Sequence, residues 1–410
     1  MTTTLQTKCC IVGGGPAGMM LGFLLARSGV EAVVLEKHAD FLRDFRGDTI
    51  HPSTLELMHE LGVLEEFLQR PHQEARELAG KVGNETIKIA DFTHPPTHCK
   101  FLAFMPQWDF LNFIVERAKR YPGFHVKMQA EATDLIEQNG RIVGVTAKTP
   151  AGDLEIRAGL TIGADGRHSI VRDRADLQVI DLGAPMDVLW MRLSRHPSDP
   201  GQTLGHAEAG RIFVMIDRED YWQCGFVIRK GAADEIRKRG IEQFRDDVAR
   251  LEPFLRDRVS ELRDWNDVSL LTVKVDRLRR WWRPGLLCIG DAAHAMSPVG
   301  GVGINLAIQD AVAAANILAA KLGADTLTDR DLYAVQRRRL FPTRATQWLQ
   351  ILVQKNVIGR VLGSTTPLAV PLPLRLMQRW PWLRRIPARV IGMGFRPEHV
   401  RTRELPGRHH

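Results

Sequence analysis

The sequence predicts an α/β fold: a parallel sheet wound with helices, interrupted by a separate antiparallel sheet and followed by a helical C-terminal segment. Three observations predict it. Residues 8–36 read as strand, glycine turn, helix, strand. From about 175 to 275 the texture changes to longer alternating strands. Residues 285–320 then return to a short apolar strand, a glycine-rich loop and a long helix.

The first stretch sets the frame. The apolar run Cys9–Val12 ends at Gly13-Gly14-Gly15-Pro16-Ala17-Gly18. A helix-period segment, Met19–Ala26, closes at Ser28-Gly29, and a second apolar run, Ala32–Leu35, ends in Glu36. Each piece has a physical task. Gly13 permits a tight turn, Gly15 lets a pyrophosphate approach the backbone, and Gly18 lets helix and strand pack closely. Pro16 and Ala17 lie in the same turn, and the helix N-terminus after it offers N–H groups and a positive dipole end to phosphates. Glu36 accepts hydrogen bonds from a ribose diol, with Lys37 beside it. This is a Rossmann-like dinucleotide-binding unit.

The following segments are read in order. His51-Pro52-Ser53 starts a helix over 54–61. Short strands and the pair Pro95-Pro96 over 76–104 belong to a second domain. A helix covers 107–120, with Phe110, Leu111, Ile114 and Ala118 on one face. Strands follow at 124–128, 132–136, 142–146 and 154–158, with a turn at Asn139-Gly140. The run 160–164 ends in Asp165. In the antiparallel region, strands cover 188–193, 211–216, 221–228 and 268–275, and a charged helix spans 232–262.

Composition narrows the class. The chain has 410 residues, long enough for two domains sharing a cleft, and at 44% hydrophobic and 25% charged it is globular. Five scattered cysteines with no metal-ligand spacing argue for reduced thiols in the cytoplasm and no bound metal. The start has no basic segment leading into an apolar one, which predicts no signal peptide. No run of 18 apolar residues occurs, which predicts no membrane span. The net charge is +8, but much of the excess is arginine in the last quarter rather than a basic patch with stacking aromatics. That favours anionic ligands or lipid head groups over nucleic acid.

Two more motifs complete the set. One is Gly163-Ala164-Asp165-Gly166-Arg167-His168-Ser169, running on to Val171-Arg172. The other is Gly285–His294, containing Gly290-Asp291, followed by Ser297-Pro298-Val299-Gly300-Gly301-Val302-Gly303-Ile304-Asn305. The three motifs, in this order and at these separations, resemble the class A single-component FAD monooxygenases of the p-hydroxybenzoate hydroxylase fold. The resemblance covers roughly residues 8–345. It implies a Rossmann-like FAD-binding domain (1–75, 105–175 and 280–345), an inserted substrate-binding β-sheet domain (76–104 and 176–279), and a C-terminal helical segment (346–410). It also implies noncovalent FAD, NADPH or NADH as a transient co-substrate, and O2. A flavin C4a-hydroperoxide would then hydroxylate an aromatic or polycyclic phenolic or quinone-type molecule. By resemblance, Glu36 binds the adenosine ribose, and Arg46 and Gln107 hold the pyrophosphate region. Asp165 serves FAD and the passing nicotinamide. Asp291 takes the ribityl side. Pro298, Gly300 and Gly301, with Gly303, Ile304 and Asn305, form the loop beside the reactive flavin edge. No side-chain base is assigned. His294 is structural; the bland alternative for Asp165 is a turn cap anchored by Arg172.

The substrate wall is placed on alternation alone: Trp222, Cys224 and Phe226 share one face, and Phe213 and Met215 one face of the partner strand. The same face would equally pack on the 232–262 helix. Residues 346–395 form an entrance cover, a dimer contact or a peripheral membrane contact, so the chain is a monomer or homodimer. Two alternatives remain. A flavin halogenase shares the FAD domain, but Trp380–Pro387 only loosely echoes its tryptophan segment. A non-catalytic FAD-binding protein would bind FAD without oxidising NAD(P)H.

Overall fold

The computed structural model describes residues 2–42, 49–201 and 204–405. Strand Thr3–Val12 is central in the larger sheet. It pairs in parallel with Ala32–Leu35 on one side and Gly152–Gly163 on the other. Phe124–Lys127 and Leu286–Cys288 extend the sheet outward, also in parallel. The chain therefore leaves the central strand in opposite directions, and all the C-terminal strand ends share one edge. Ligands of open α/β sheets bind at such a point.

Buried apolar strands and helices go together here. All four residues of Ala32–Leu35 are buried, as a strand covered on both faces requires. Helix Pro16–Arg27 packs against helices Gln107–Ala118 and Val302–Gly323. The helical stretch Val299–Gly323 is long and apolar enough to cross a membrane, but most of it is buried in this core. The two apolar runs at 154–158 and 160–164 form one strand, Gly152–Gly163. Asn139 and Gly140 both take positive φ (51° and 76°), as a two-residue hairpin turn demands.

The second sheet has seven strands, running from Val268–Leu271 through Met186–Ser194, Tyr221–Arg229, Arg211–Asp217 and Leu204–Glu208 to Glu77–Val82 and Glu85–Asp91. Strand Leu102–Phe104 departs from the expected grouping: it pairs with Thr49–Ile50 and Gln73–Ala75 in a small separate sheet. The expected helix over 232–262 is two helices, Ala233–Lys238 and Ile241–Leu251. Gly240, at φ 89°, breaks them apart, and Pro253 follows the second.

Residue 346 is not a structural boundary. Helix Asp329–Val353 runs through it, opened by a capping box of Thr328 and Asp331. Its Pro342 is buried inside the helix. Short helical turns follow to Gly363, and then a hairpin of Leu372–Arg379 and Arg385–Met393. The tail beyond lies back on the first layer. Glu398 accepts from Arg338 Nε at 2.6 Å, and the Leu405 N–H donates to the Arg27 carbonyl at 3.0 Å.

Candidate active site

The glycine turn needs its glycines for separate reasons. Gly13 sits at φ 106°, and a Cβ there would fall 2.3 Å from the Ala164 oxygen. A Cβ on Gly18 would fall 2.0 Å from the Gly13 oxygen, so only glycine lets the helix come this close to the turn. Gly15 is the opposite case: a Cβ there would meet nothing within 4 Å. Its backbone faces open space at the mouth of the helix. The N–H groups of the first turn have no intrahelical acceptor, so the turn is a cradle for an anionic diphosphate. Glu36 sits beside it, accepting from Gly14 N–H at 3.1 Å and His38 N–H at 3.0 Å. Gly14 was not singled out in the sequence, yet a Cβ on it would strike Glu36 at 2.9 Å.

The same edge receives the other two motifs. Asp291 follows strand Leu286–Cys288 and accepts from Arg167 Nη2 at 3.3 Å. Asp165 turns its carboxylate inward, accepting from Ser169 Oγ at 2.6 Å and the Val171 N–H at 3.3 Å. Burial pushes the Asp165 carboxyl above its usual range, against those hydrogen bonds. Arg172 Nη2 donates to the Arg167 carbonyl at 2.6 Å and so fixes this loop. Gln107 is the first residue of helix Gln107–Ala118, which leads into the parallel strand Phe124–Lys127. Arg46 lies outside the described residues.

The proline-glycine loop is held from behind. Gly300 (φ 79°) and Gly301 (φ 63°) are both left-handed, and Pro298 and Gly300 are exposed. Ile304 is buried under the loop in the first helical turn. Gly303 leaves room there, its nearest neighbour for an added Cβ being Met296 at 3.8 Å. Gln350 Nε2 donates to the carbonyls of Ser297 and Val299, both at 2.9 Å, and its Oε1 accepts from the Ser297 N–H at 3.1 Å. The side chain of Asn305 faces the protein. Its Oδ1 accepts from His51 N–H and Thr54 Oγ1, and its Nδ2 donates to Thr49 and Gly301 carbonyls. It holds the loop instead of reaching outward.

His51 is buried against the same loop. Its Nδ1 donates to the Ile391 carbonyl at 2.7 Å, which ties the C-terminal hairpin to this site. Burial pulls its pKa down to about 4, although the Ile391 and Gly300 carbonyls favour the charged ring. His294 is structural: its Nε2 meets Asp310 Oδ2 at 2.5 Å, and Asp310 Oδ1 accepts from Arg339 Nε at 2.8 Å. Burial alone would raise the Asp310 carboxyl, but His294 and Arg339 hold it low.

The substrate wall needs correction. Met215, Trp222 and Cys224 are fully buried, and Phe226 nearly so, in one core with Phe244, Val248 and Leu251 of helix Ile241–Leu251. Trp222 Nε1 donates to Asp199, which Arg258 also binds. That face is filled by its own helix. The opposite face carries Val188, Trp190, Ile212 and Val227, and these pack with Val299 of the proline-glycine loop and with Ile358 and Leu362 of the C-terminal segment. Gly225 lies beneath Trp190: an added Cβ would meet the indole at 3.1 Å, so the ring lies close over the sheet. A cavity of about 320 Å³ lined by Arg192, Tyr221, Asp220 and Glu261 opens at the polar end of this sheet.

The comparisons with known proteins agree with this geometry. Residues 6–349 match the family model described as "FAD binding domain". A Streptomyces rimosus protein named 6-methylpretetramide 4-monooxygenase is 34% identical over 386 residues, spanning 93% of this chain and 92% of that one. The chain belongs to the class A FAD-dependent aromatic monooxygenases. Its cofactor is FAD, and such an enzyme consumes O2 and NAD(P)H. The para-nitrophenol 4-monooxygenase of a Pseudomonas strain is 24% identical and spans 81% of this chain and 82% of its own. Among solved structures, Pseudomonas aeruginosa PqsL matches with a TM-score of 0.73 at 21% identity, over 87% of this chain and 98% of that one. A myxobacterial halogenase, CndH, matches with a TM-score of 0.74 at 20% identity, over 98% and 94%. At these identities the structures share the fold alone.

Proposed function

We propose that the enzyme hydroxylates a planar aromatic or polycyclic phenolic or quinone-type molecule, held between the Val188/Trp190/Val227 face and the Pro298–Gly301 loop. The observation that carries this is the packing of Val299 against that face. The discontinuous domain of 1–75, 105–175 and 280–345 would hold FAD, and 76–104 with 176–279 would hold the substrate. Residues 354–363 add part of the wall, which makes the C-terminal segment a cover.

The residues present fit FAD. The Gly15 backbone and the first helical turn would take the diphosphate, with Arg46 and Gln107 nearby in sequence role. Glu36 would exchange its hydrogen bonds to Gly14 and His38 for those of a ribose diol. Asp291 would take ribityl hydroxyls. Reduced by NAD(P)H, a bound flavin activates O2 for insertion into an electron-rich ring. This chain's part is to orient and to exclude water. Trp190 would offer the ring a flat apolar floor, and Val188, Val227 and Val299, packed together here, would exclude water from it. Gln350, Asn305 and His51 hold the loop in place. No acidic or basic side chain is needed at the ring carbon for these tasks.

The relative at 34% identity, named for oxygenating 6-methylpretetramide, supports a substrate broader than a single ring. Halogenation has no support beyond the shared fold, and Trp380–Pro387 lies in the C-terminal hairpin, outside the apolar wall. The enzyme is placed in the cytoplasm, as a monomer or homodimer, with any membrane contact made by 346–395. The test is a screen of phenolic and quinone-type compounds for stimulated NAD(P)H oxidation, with mass spectrometry for products one oxygen heavier. FAD binding without stimulation by any compound would favour the non-catalytic alternative.

A further inference from the structure

No aspartate or glutamate occurs between Asp331 and Glu398, while that stretch holds twelve arginines and lysines. This exceeds the net charge of the whole chain, +8. Arg338 and Arg339 are used internally on Glu398. The hairpin of Leu372–Arg379 and Arg385–Met393 is different, because its charges point outward.

Its inner side is well anchored. Ala388 is buried against Ala90, Phe92 and Leu102, and an added Cβ on Gly392 would meet Pro52 at 3.2 Å. Gln378 Nε2 donates to the Lys88 carbonyl at 2.8 Å. The outer side presents one large aliphatic residue from each helix, Leu372 (67% exposed) and Ile386 (57%). Trp380 (49%) and Trp382 (58%) project from the turn between them. Arg375, Arg379, Arg385 and Arg389 are exposed on the same two helices. Of these only Arg385 lies near an acid, Asp91. Arg375, Arg379 and Arg389 have no carboxylate partner among the described residues.

We infer that this hairpin is an interfacial anchor for a bilayer rich in anionic lipid, with the tryptophans and aliphatics at head-group depth and the arginines on phosphates. Large apolar side chains among unpaired cations, on an element fixed from behind, are what a lipid–water boundary takes. Tryptophan belongs at that depth, and anionic head groups attract each cation near the surface. A second copy of the chain fits poorly, because a two-fold contact would face this arginine-rich surface with itself. The inference deepens the proposed monooxygenase by fixing where it works: the hairpin holds the His51 contact through Ile391, so the enzyme docks close to the covered substrate face. An apolar aromatic substrate dissolved in the bilayer is then at hand.

The test uses full-length, FAD-loaded enzyme and sedimentation with vesicles of phosphatidylcholine, alone or mixed with anionic phosphatidylglycerol. Binding is expected on the anionic vesicles only, weakening as salt screens the charges. Replacing both tryptophans (Trp380→Ala, Trp382→Ala) should weaken it about tenfold or more, equivalent to roughly 1.4 kcal/mol. FAD content and NAD(P)H oxidation in detergent-free buffer should not change, so failure of the anchor and failure of the monooxygenase assignment are separable. Three results would overturn the anchor: no sedimentation with anionic vesicles at low salt, binding that ignores the double substitution, or lipid-free self-association lost in the same variant. Binding to an acidic protein or polynucleotide in preference to vesicles would also overturn it.

Discussion

Replacing Gly301 by alanine tests where the oxygen chemistry sits. Gly301 is left-handed, at φ 63° and ψ 22°, and a side chain there costs about 1–2 kcal/mol. The new Cβ would also stand 2.8 Å from Thr49 Oγ1, where ordinary contact begins at 3.4 Å. The two must separate by about 0.6 Å (3.4 − 2.8). Thr49 is pinned, because it pairs with Phe104 and its carbonyl accepts from Asn305 Nδ2. The loop must therefore give. A displacement of 1 Å at a reacting centre costs on the order of 100-fold, so about half that costs roughly tenfold. Gly300→Ala is the control: its φ of 79° imposes similar strain, but the nearest neighbour, Val302 Cγ1, is an ordinary 3.6 Å away. The assay is the ratio of product formed to NAD(P)H consumed, with H2O2 measured in parallel. Gly301→Ala should keep FAD, lose about nine-tenths of its coupling (the tenfold loss above) and release H2O2; Gly300→Ala should lose much less. Wild-type coupling in a Gly301→Ala enzyme that retains FAD would remove this loop from the oxygen site.

Further outcomes follow from other contacts. Glu36→Ala should weaken FAD binding by about 1.5–3 kcal/mol per lost charged hydrogen bond, read by FAD titration, while turnover at saturating FAD survives. Trp190→Ala should raise KM or lower coupling, whereas Cys224→Ala, on the helix-packed face, should lower Tm and leave KM unchanged. Burial holds the His51 pKa at about 4, below its ordinary value of 6.5, so the unfolded chain binds that proton first and stability falls as pH drops from about 6.5 to 4. The loss is about 3 kcal/mol, and His51→Gln should flatten it in denaturant titrations at pH 7 and 4.5. Glu398→Gln weakens the charged hydrogen bonds from Arg338 and Arg339 while Arg339 keeps Asp310, and should cost about 1.5–3 kcal/mol, seen as a lower Tm.

Much of the fold was legible because its signals are local. Gly13, Gly15 and Gly18 had their conformations dictated within a few residues, and Glu36 lay at the end of its own strand. The buried parallel strands showed as continuous apolar runs. The proposed substrate face was not legible. Alternation separates Trp222, Cys224 and Phe226 from Gln223, Gly225 and Val227, but not which set meets the loop. That depends on helix Ile241–Leu251 covering one side, a contact made only in three dimensions. The grip of Gln350 and Asn305 on the loop was hidden for the same reason, although two glutamines at i and i+3, Gln347 and Gln350, in an otherwise apolar stretch were a usable signal. Gly225 beneath Trp190 carried no signal of its own.

The central claim is that this chain inserts one atom of O2 into an aromatic ring held between Trp190 and the Pro298–Gly301 loop. The direct measurement is turnover of FAD-loaded enzyme with NAD(P)H, a stimulating phenolic or quinone-type compound and isotopically labelled O2. The account predicts a product carrying one labelled oxygen atom, formed in step with NAD(P)H and lost in the Trp190→Ala variant at the same substrate level. A product without label, or a halogenated product that requires halide, would contradict it.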